Sequence, residues 1–162
     1  MVWSTLARHL LSRPAAPRST DPAVVETLAS RLREAGQRKL GRSLAIRHVA
    51  AGSCNGCELE YGLSFTPSPR HADVLLITGV AARNMLEAVR QAREAMPEPA
   101  LVIAAGDCAV DGGVFKGSPA IAGGAGAILP VDLLIAGCPP TPLQIIEGLL
   151  ALIEAHSATK SV

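Results

Sequence analysis

Four cysteines, Cys54, Cys57, Cys108 and Cys138, are the residues of this chain whose type and spacing best suit chemistry. They follow the pattern C-x2-C-x50-C-x29-C, and no cysteine lies outside it. Each comes just after an apolar run, in a glycine-containing turn. The turns are Ala51-Gly52-Ser53-Cys54-Asn55-Gly56-Cys57-Glu58, Ala105-Gly106-Asp107-Cys108 and Ala136-Gly137-Cys138-Pro139-Pro140. Strand ends of an open parallel sheet face one crevice, where α/β folds bind their ligands. Four thiols delivered there make a metal site, either a tetrahedral zinc or an iron–sulfur cluster.

The C-x2-C pair taken alone also fits a redox dithiol. Such a centre needs only two cysteines and sits at a helix start, whereas the Gly56 turn reads as looser. Structural zinc sites commonly draw on two close pairs of ligands. A two-plus-one-plus-one supply from three strand ends suits the larger body of a cubane, which takes ligands from several directions. Gly52, Gly56, Gly106 and Gly137 would let backbone N–H groups approach the sulfurs, and such hydrogen bonds raise a cluster's potential. Ordinary turn chemistry is the plainer role for the same glycines.

The elements that must position these turns alternate. Leu44 to Ala51, Asp73 to Gly79, Ala100 to Ala105 and Leu133 to Ala136 read as strands. Helices are expected over 23–39, 81–95 and from Thr141 or Pro142 to about Ala155, with a short helical turn from Glu58 to Leu63. Val24, Val25, Leu28, Leu32 and Ala35 form the stripe of the first helix, and Gly36 and Gly41 are its candidate stops. Thr20 or Asp21 caps it, with Pro22 at its first position. Residues 66–70 and 111–126 read as loops. Alternation of this kind predicts a small flavodoxin-like α/β sheet, parallel, with helices on both faces and the cysteines at the C-terminal ends of the strands. Three regions result: a helical extension with a Pro-rich linker (1–43), the cysteine-bearing α/β domain (44–156) and a tail (157–162).

The 162 residues suffice for one domain with a real core. Hydrophobic residues make up 49% and mean hydropathy is +0.31. Aromatics are only Trp3, Tyr61, Phe65 and Phe115, so the core must be aliphatic. So apolar a small chain is expected to hide surface against partners. Residues 1–50 hold nine Lys/Arg against three Asp/Glu, and the remainder six against eleven. The basic part, with an amphipathic 1–11 segment around Trp3, suits an acidic neighbour or a membrane surface. Basic residues are not interleaved with aromatics, which argues against nucleic acid. No run of 18 apolar residues occurs, so no transmembrane segment is expected, and no signal-peptide pattern opens the chain. Four cysteines in a reducing cytoplasm favour metal or redox chemistry over disulfides.

Longer motifs then carry a family resemblance. Gly52-Ser53-Cys54-Asn55-Gly56-Cys57-Glu58-Leu59-Glu60, Ser68-Pro69-Arg70-His71-Ala72-Asp73-Val74-Leu75, Gly106-Asp107-Cys108, Pro130-Val131-Asp132 and Gly137-Cys138-Pro139-Pro140-Thr141-Pro142 occur in this order. Over residues 44–153 the chain resembles the small subunit of membrane-bound energy-converting nickel–iron hydrogenases of the formate hydrogenlyase type. The 20-kDa subunit of respiratory complex I belongs to the same superfamily. C-x2-C, in place of two adjacent cysteines, is closer to the hydrogenase branch. The resemblance implies one 4Fe–4S cluster held by Cys54, Cys57, Cys108 and Cys138. It implies electron transfer beside a hydrogenase-like large subunit, with a ferredoxin-like iron–sulfur subunit and membrane subunits as further partners, and no turnover by this chain alone. The expected location is peripheral, on the cytoplasmic side of the inner membrane. A structural zinc-binding interaction subunit is the alternative. The segment between Cys57 and Pro69, eleven residues here, is shorter than the family's.

Other polar residues are weighed individually. Glu58, next to Cys57, suits proton transfer, cluster tuning or a helix-start carboxylate favoured by the dipole. Arg70 and His71 suit a subunit interface, a proton coupled to reduction, or a plain loop. Asp107 and Asp111 read as turn residues, and His9, His48 and His156 lack ligand context. Thr141 reads as a helix cap. Gly112-Gly113 and Gly123-Gly124 lack the sequence context of nucleotide loops.

Overall fold

The four apolar residues Val74-Leu75-Leu76-Ile77, followed by Thr78, form β2, the strand on which the fold is centred. A strand apolar at successive positions must be covered on both faces, and every residue of β2 is buried. The computed structural model describes residues 21–61 and 63–158. The helix expected over 1–11, His9 and most of the proline-rich linker lie outside them.

Four parallel strands form one sheet in the order β1-β2-β3-β4, where β1 is Ile46–Ala50, β3 Leu101–Ala105 and β4 Leu133–Ile135. The flavodoxin-like order 2-1-3-4-5 becomes this monotonic order when its outer strand, the second in sequence, is absent. The register runs Val49 beside Ile77 and Ile77 beside Ala104, then Ala105 beside Ile135. The open edge of β1 is covered by its own following loop, because the Thr66 N–H donates to Ile46 O at 2.8 Å. Edge strands left bare invite pairing with other chains.

Helices cover both faces. Crossovers of one hand that step the same way stack on one face, and the helices α3 (Leu86–Glu94) and α4 (Asp107–Asp111) share one. There Val49, Leu75, Ile77, Val102 and Ala104 pack with Val89 and Ala109. The other face is covered by α1 (Pro22–Leu40) and α5 (Pro142–Ala158). Here Ile46, Val74, Leu76, Ile103 and Ile135 pack with Ile145 and Leu149, and Leu32 of α1 lies against them. Leu28, Leu32 and Ala35 also meet Leu150 and Ile153, joining α1 to α5. The remaining helix, α2 (Gly56–Glu60), follows β1.

Strand ends agree with the sequence reading to within two residues. Asp21 caps α1 by accepting from Ala23 N, and Gly41 ends it in the left-handed conformation. Thr141 caps α5 and exchanges hydrogen bonds with Gln144, the reciprocal pattern of a capping box. Three expectations need correction. Gly36 is no stop: it is buried within α1, and a Cβ there would meet Arg42 O and Leu44 N at 3.3 Å. Close passage of the returning chain favours glycine there. Val24 lies outside the packed stripe, 45% exposed, because α1 meets α5 only from Leu28 onward. The helix expected from residue 81 begins later, as a 3-10 turn over Arg83–Met85 that leads into α3. Ala81 is held at φ 52°, and Ala82 bridges to Ile121, so both are withheld from the helix.

Two aspartates set the sheet's entry edge. Asp73 accepts from Ala45 N at 2.9 Å and pairs with both Arg42 guanidinium nitrogens at 2.7 and 2.9 Å. Asp132 accepts from Val102 N at 2.7 Å. Each satisfies an N–H at the start of a neighbouring strand, which a bare strand end would leave unpaired.

Candidate metal centre

The four cysteines lie on three loops at one edge of the sheet. Cys54 and Cys57 follow β1, Cys108 is in the first turn of α4 after β3, and Cys138 follows β4. β2 contributes no cysteine. Its following residues, Gly79 to Ala82, run beneath the Cys54 loop instead: Ala82 N donates to Ala51 O at 2.9 Å, and Ala51 N to Thr78 O at 2.7 Å. Helix α2 starts at Gly56, two residues earlier than expected, with Asn55 in the left-handed conformation before it. The pair therefore does flank a helix start.

Cys54 and Cys138 are exposed, and Cys57 and Cys108 half-buried. Burial pushes the Cys57 thiol up to about 11, followed by the Glu58 charge, with smaller contributions from Cys54 and Cys108. That is the reverse of the low-pKa thiolate of a dithiol oxidoreductase. Burial likewise raises the Cys108 thiol, then Cys138 and Cys54. Each thiol thus lies within electrostatic range of others on different loops. Gathered thiolates repel one another, and a cationic centre that displaces their protons relieves the repulsion.

The backbone leaves room for sulfur. Gly106, at φ 94°, faces Cys57 so closely that a Cβ would sit 2.7 Å from its Sγ. Cys108 and Cys138 line a cavity of about 420 Å³ with Asp107, Asp111 and Val114. Among the described residues, no three His, Cys, Asp or Glu side chains are gathered to hold a single metal ion.

Asp107 joins two of the loops. Its Oδ1 accepts from Gly137 N at 2.7 Å, and its own N–H donates to Gly137 O at 2.9 Å. This reciprocal pair fixes the Cys108 turn against the Cys138 turn. Asp107→Ala is expected to lower stability by about 1–3 kcal/mol, whereas Asp107→Asn, which keeps an oxygen acceptor, loses much less. Denaturant unfolding of both variants checks this. Equal losses would show that the carboxyl oxygen is not what joins the loops. Asp111 is local: it accepts from Gly113 N at 2.9 Å and pairs with Lys116.

Glu58 heads a polar chain that the sequence reading missed. Thr78 Oγ1 donates to Glu58 Oε1 at 2.7 Å and lies 2.9 Å from His48 Nε2. An ionised carboxylate only accepts, so the Thr78 proton points to Glu58 and His48 donates from Nε2. Burial pushes Glu58 up, but hydrogen bonds from Ser53 and Thr78 outweigh it and hold the carboxyl below its usual value. His48 lies 3.4 Å from Glu58, yet burial keeps its pKa below 6.5 against that carboxylate's pull. His48 also contacts the Phe65 ring at 5.2 Å. The lone signal for it in sequence was a histidine inside a strand.

His48 sets a pH dependence. Its folded pKa lies below 6.5, so an unfolded chain takes up the proton first as pH falls. The unfolded state then binds more protons, and stability decreases toward acid. Melting temperature is expected to fall between about pH 7.5 and about pH 5.5, with a shallower slope in His48→Asn. An equal slope in the variant would remove His48 from the account.

Tyr61 lies four residues beyond Cys57. It is 2% exposed, and its hydroxyl has no hydrogen-bond partner. Tyr61 belongs to the buried apolar cluster against which Cys57 packs. Glu58 Oε2 is likewise buried without a partner.

Arg70 and His71 lie elsewhere. They form a 3-10 turn capped by Ser68 just before β2, at the entry edge of the sheet. The cysteines occupy the opposite edge, a strand length away. Leu59, Val114 and Phe115, by contrast, are exposed beside the cysteine loops.

Residues 42–152 match the family model described as NADH ubiquinone oxidoreductase, 20 Kd subunit. The chain is 40% identical over 128 residues to the probable membrane-bound hydrogenase subunit mbhJ of Pyrococcus furiosus, covering 71% of this chain and 77% of that protein. It is 36% identical over 154 residues to formate hydrogenlyase subunit 7 of Escherichia coli, covering 85% of this chain but 58% of that longer protein. A chain of the membrane-bound sulfane sulfur reductase, an archaeal respiratory membrane complex, superposes with a TM-score of 0.62 at 25% identity. The match covers 85% of this chain and 78% of that one.

Proposed function

From the premise that the chain belongs to the family of the 20-kDa NADH:ubiquinone oxidoreductase subunit, we propose that it is an electron-transfer subunit carrying one 4Fe–4S cluster. Its relatives are subunits of membrane-bound hydrogenase and complex-I-like oxidoreductases. The ligands in this reading are Cys54, Cys57, Cys108 and Cys138. The observation that carries it is the delivery of four thiols from three strand-end loops to one edge, within electrostatic range of one another.

When bound, the cluster accepts and passes on single electrons. The chain's residues supply its setting. Gly106 leaves space beside the Cys57 sulfur. Asp107 holds two cysteine turns in register. Ser53 and Thr78 fix Glu58 as a negative charge next to Cys57, which disfavours adding an electron there. Exposed Leu59, Val114 and Phe115 suit cover by a large subunit, so that water is excluded from the centre.

The partners proposed are a hydrogenase-like large subunit, a ferredoxin-like iron–sulfur subunit and membrane subunits of one complex. Among the described residues no helix is long and apolar enough to cross a membrane. Peripheral attachment on the cytoplasmic side, through such partners, is part of the proposal. Arg70 and His71, at the far edge, are assigned to a subunit contact in this reading. Iron and acid-labile sulfide analysis after anaerobic purification tests the proposal. Stoichiometric zinc without sulfide would replace it with a structural zinc site.

A further inference from the structure

We propose that Tyr61 becomes a hydrogen-bond donor to the Cys57 sulfur once Cys57 ligates iron, and that this bond makes the centre easier to reduce; the inference rests on the cluster reading above. Tyr61 is the chain's sole tyrosine. Residues four apart on a helical turn share a face, which brings the side chain of Tyr61 alongside that of Cys57. The ring is held edge-on to His48 at 6.0 Å and to Phe65 at 6.2 Å. Phenylalanine would fill the same space. The hydroxyl is therefore the part that packing leaves unexplained.

That hydroxyl is buried and lacks a hydrogen-bond partner. Burying an unpaired hydroxyl carries a free-energy cost. A thiol sulfur is a weak acceptor, but a thiolate ligand is charged and accepts strongly. The Cys57 sulfur, packed against the apolar cluster that holds Tyr61, thus becomes a good acceptor only when Cys57 binds iron. A phenol is protonated at neutral pH and so is able to donate. A donor to a ligand sulfur offsets the charge added on reduction and raises the potential. The Glu58 charge, next to Cys57 in the chain, acts in the opposite sense.

The test compares wild type, Tyr61→Phe, Phe65→Leu and a chain with 3-fluorotyrosine installed at position 61, each purified anaerobically in its complex. Iron and sulfide are measured first, then the midpoint potential by EPR-monitored titration. Pulsed EPR in deuterated buffer reads exchangeable protons near the centre. Tyr61→Phe is expected to weaken reduction about tenfold, equivalent to about 59 mV downward for one electron, and to lose one exchangeable deuteron coupling. Fluorination, which makes the phenol a stronger donor, is expected to move the potential upward. Phe65→Leu is expected to leave both readouts unchanged.

An unchanged potential and coupling in Tyr61→Phe would overturn the inference. So would an equal shift in Phe65→Leu, since packing would then be the cause. If Tyr61→Phe carries no cluster, an unchanged or lowered potential in the fluorinated chain overturns it instead. Wild type without iron and sulfide would defeat the cluster reading itself, which separates the two failures.

Discussion

Replacing Cys108 or Cys138 by serine is expected to reduce cluster iron in this subunit from about four per chain to near zero. Serine is nearly isosteric, and both positions have at least partial access to solvent, so the fold should survive. What is lost is ligation. A thiol gives up its proton to a metal far more readily than a hydroxyl does, and the thiolate is the ligand. Each loop after β3 and β4 supplies one cysteine, so neither loss has a neighbouring substitute. In Cys54→Ser or Cys57→Ser, the other half of the pair remains, and partial or altered loading is the expected result. Iron content, sulfide content and circular dichroism together check this. Full loading with an ordinary spectrum in both Cys108→Ser and Cys138→Ser would contradict the ligand assignment.

Gly79→Ala is expected to be among the most damaging changes outside the cysteines. Gly79 has φ 85°, a conformation that costs any side chain. Its added Cβ would also sit 2.6 Å from the Gly52 carbonyl carbon and closer still to Ser53 N. Both contacts are backbone, so no rotamer change relieves them. The loop that must move is the one carrying Cys54. We expect a loss of about 3 kcal/mol or more and, in whatever remains folded, poor iron incorporation. Denaturant unfolding and iron analysis read the two effects separately. A variant with wild-type stability and iron would show that the Cys54 loop does not depend on this close approach.

Much of this arrangement was legible before any coordinates. Runs such as Val74 to Thr78 are too apolar and too short to be anything but buried strands. Each cysteine's place after such a run fixed its edge of the sheet. Asp21, Gly41 and Thr141 showed their capping roles by residue type and position. What escaped was long-range. His48 reads as an ordinary strand residue until β2 brings Thr78 beside it, and Thr78 itself looks like a strand end. Tyr61 reads in sequence as one of four scarce aromatics, and only the fold packs it with Cys57. Gly79 was read as a strand stop, yet its need for glycine comes from the backbone of another loop. Arg70 and His71 belong to a shared motif, but shared order along the chain does not fix which edge of the sheet a residue occupies. Gly36 misled for a related reason: within a helix, glycine marked close passage of the chain and not an end.

The most direct measurement is anaerobic purification of the chain with its neighbouring subunits, followed by iron and acid-labile sulfide analysis and low-temperature EPR of the dithionite-reduced sample. The account predicts about four iron and four sulfide assignable to this subunit, and a signal that disappears in Cys108→Ser and Cys138→Ser. Zinc without sulfide, or no metal under anaerobic handling, would contradict it.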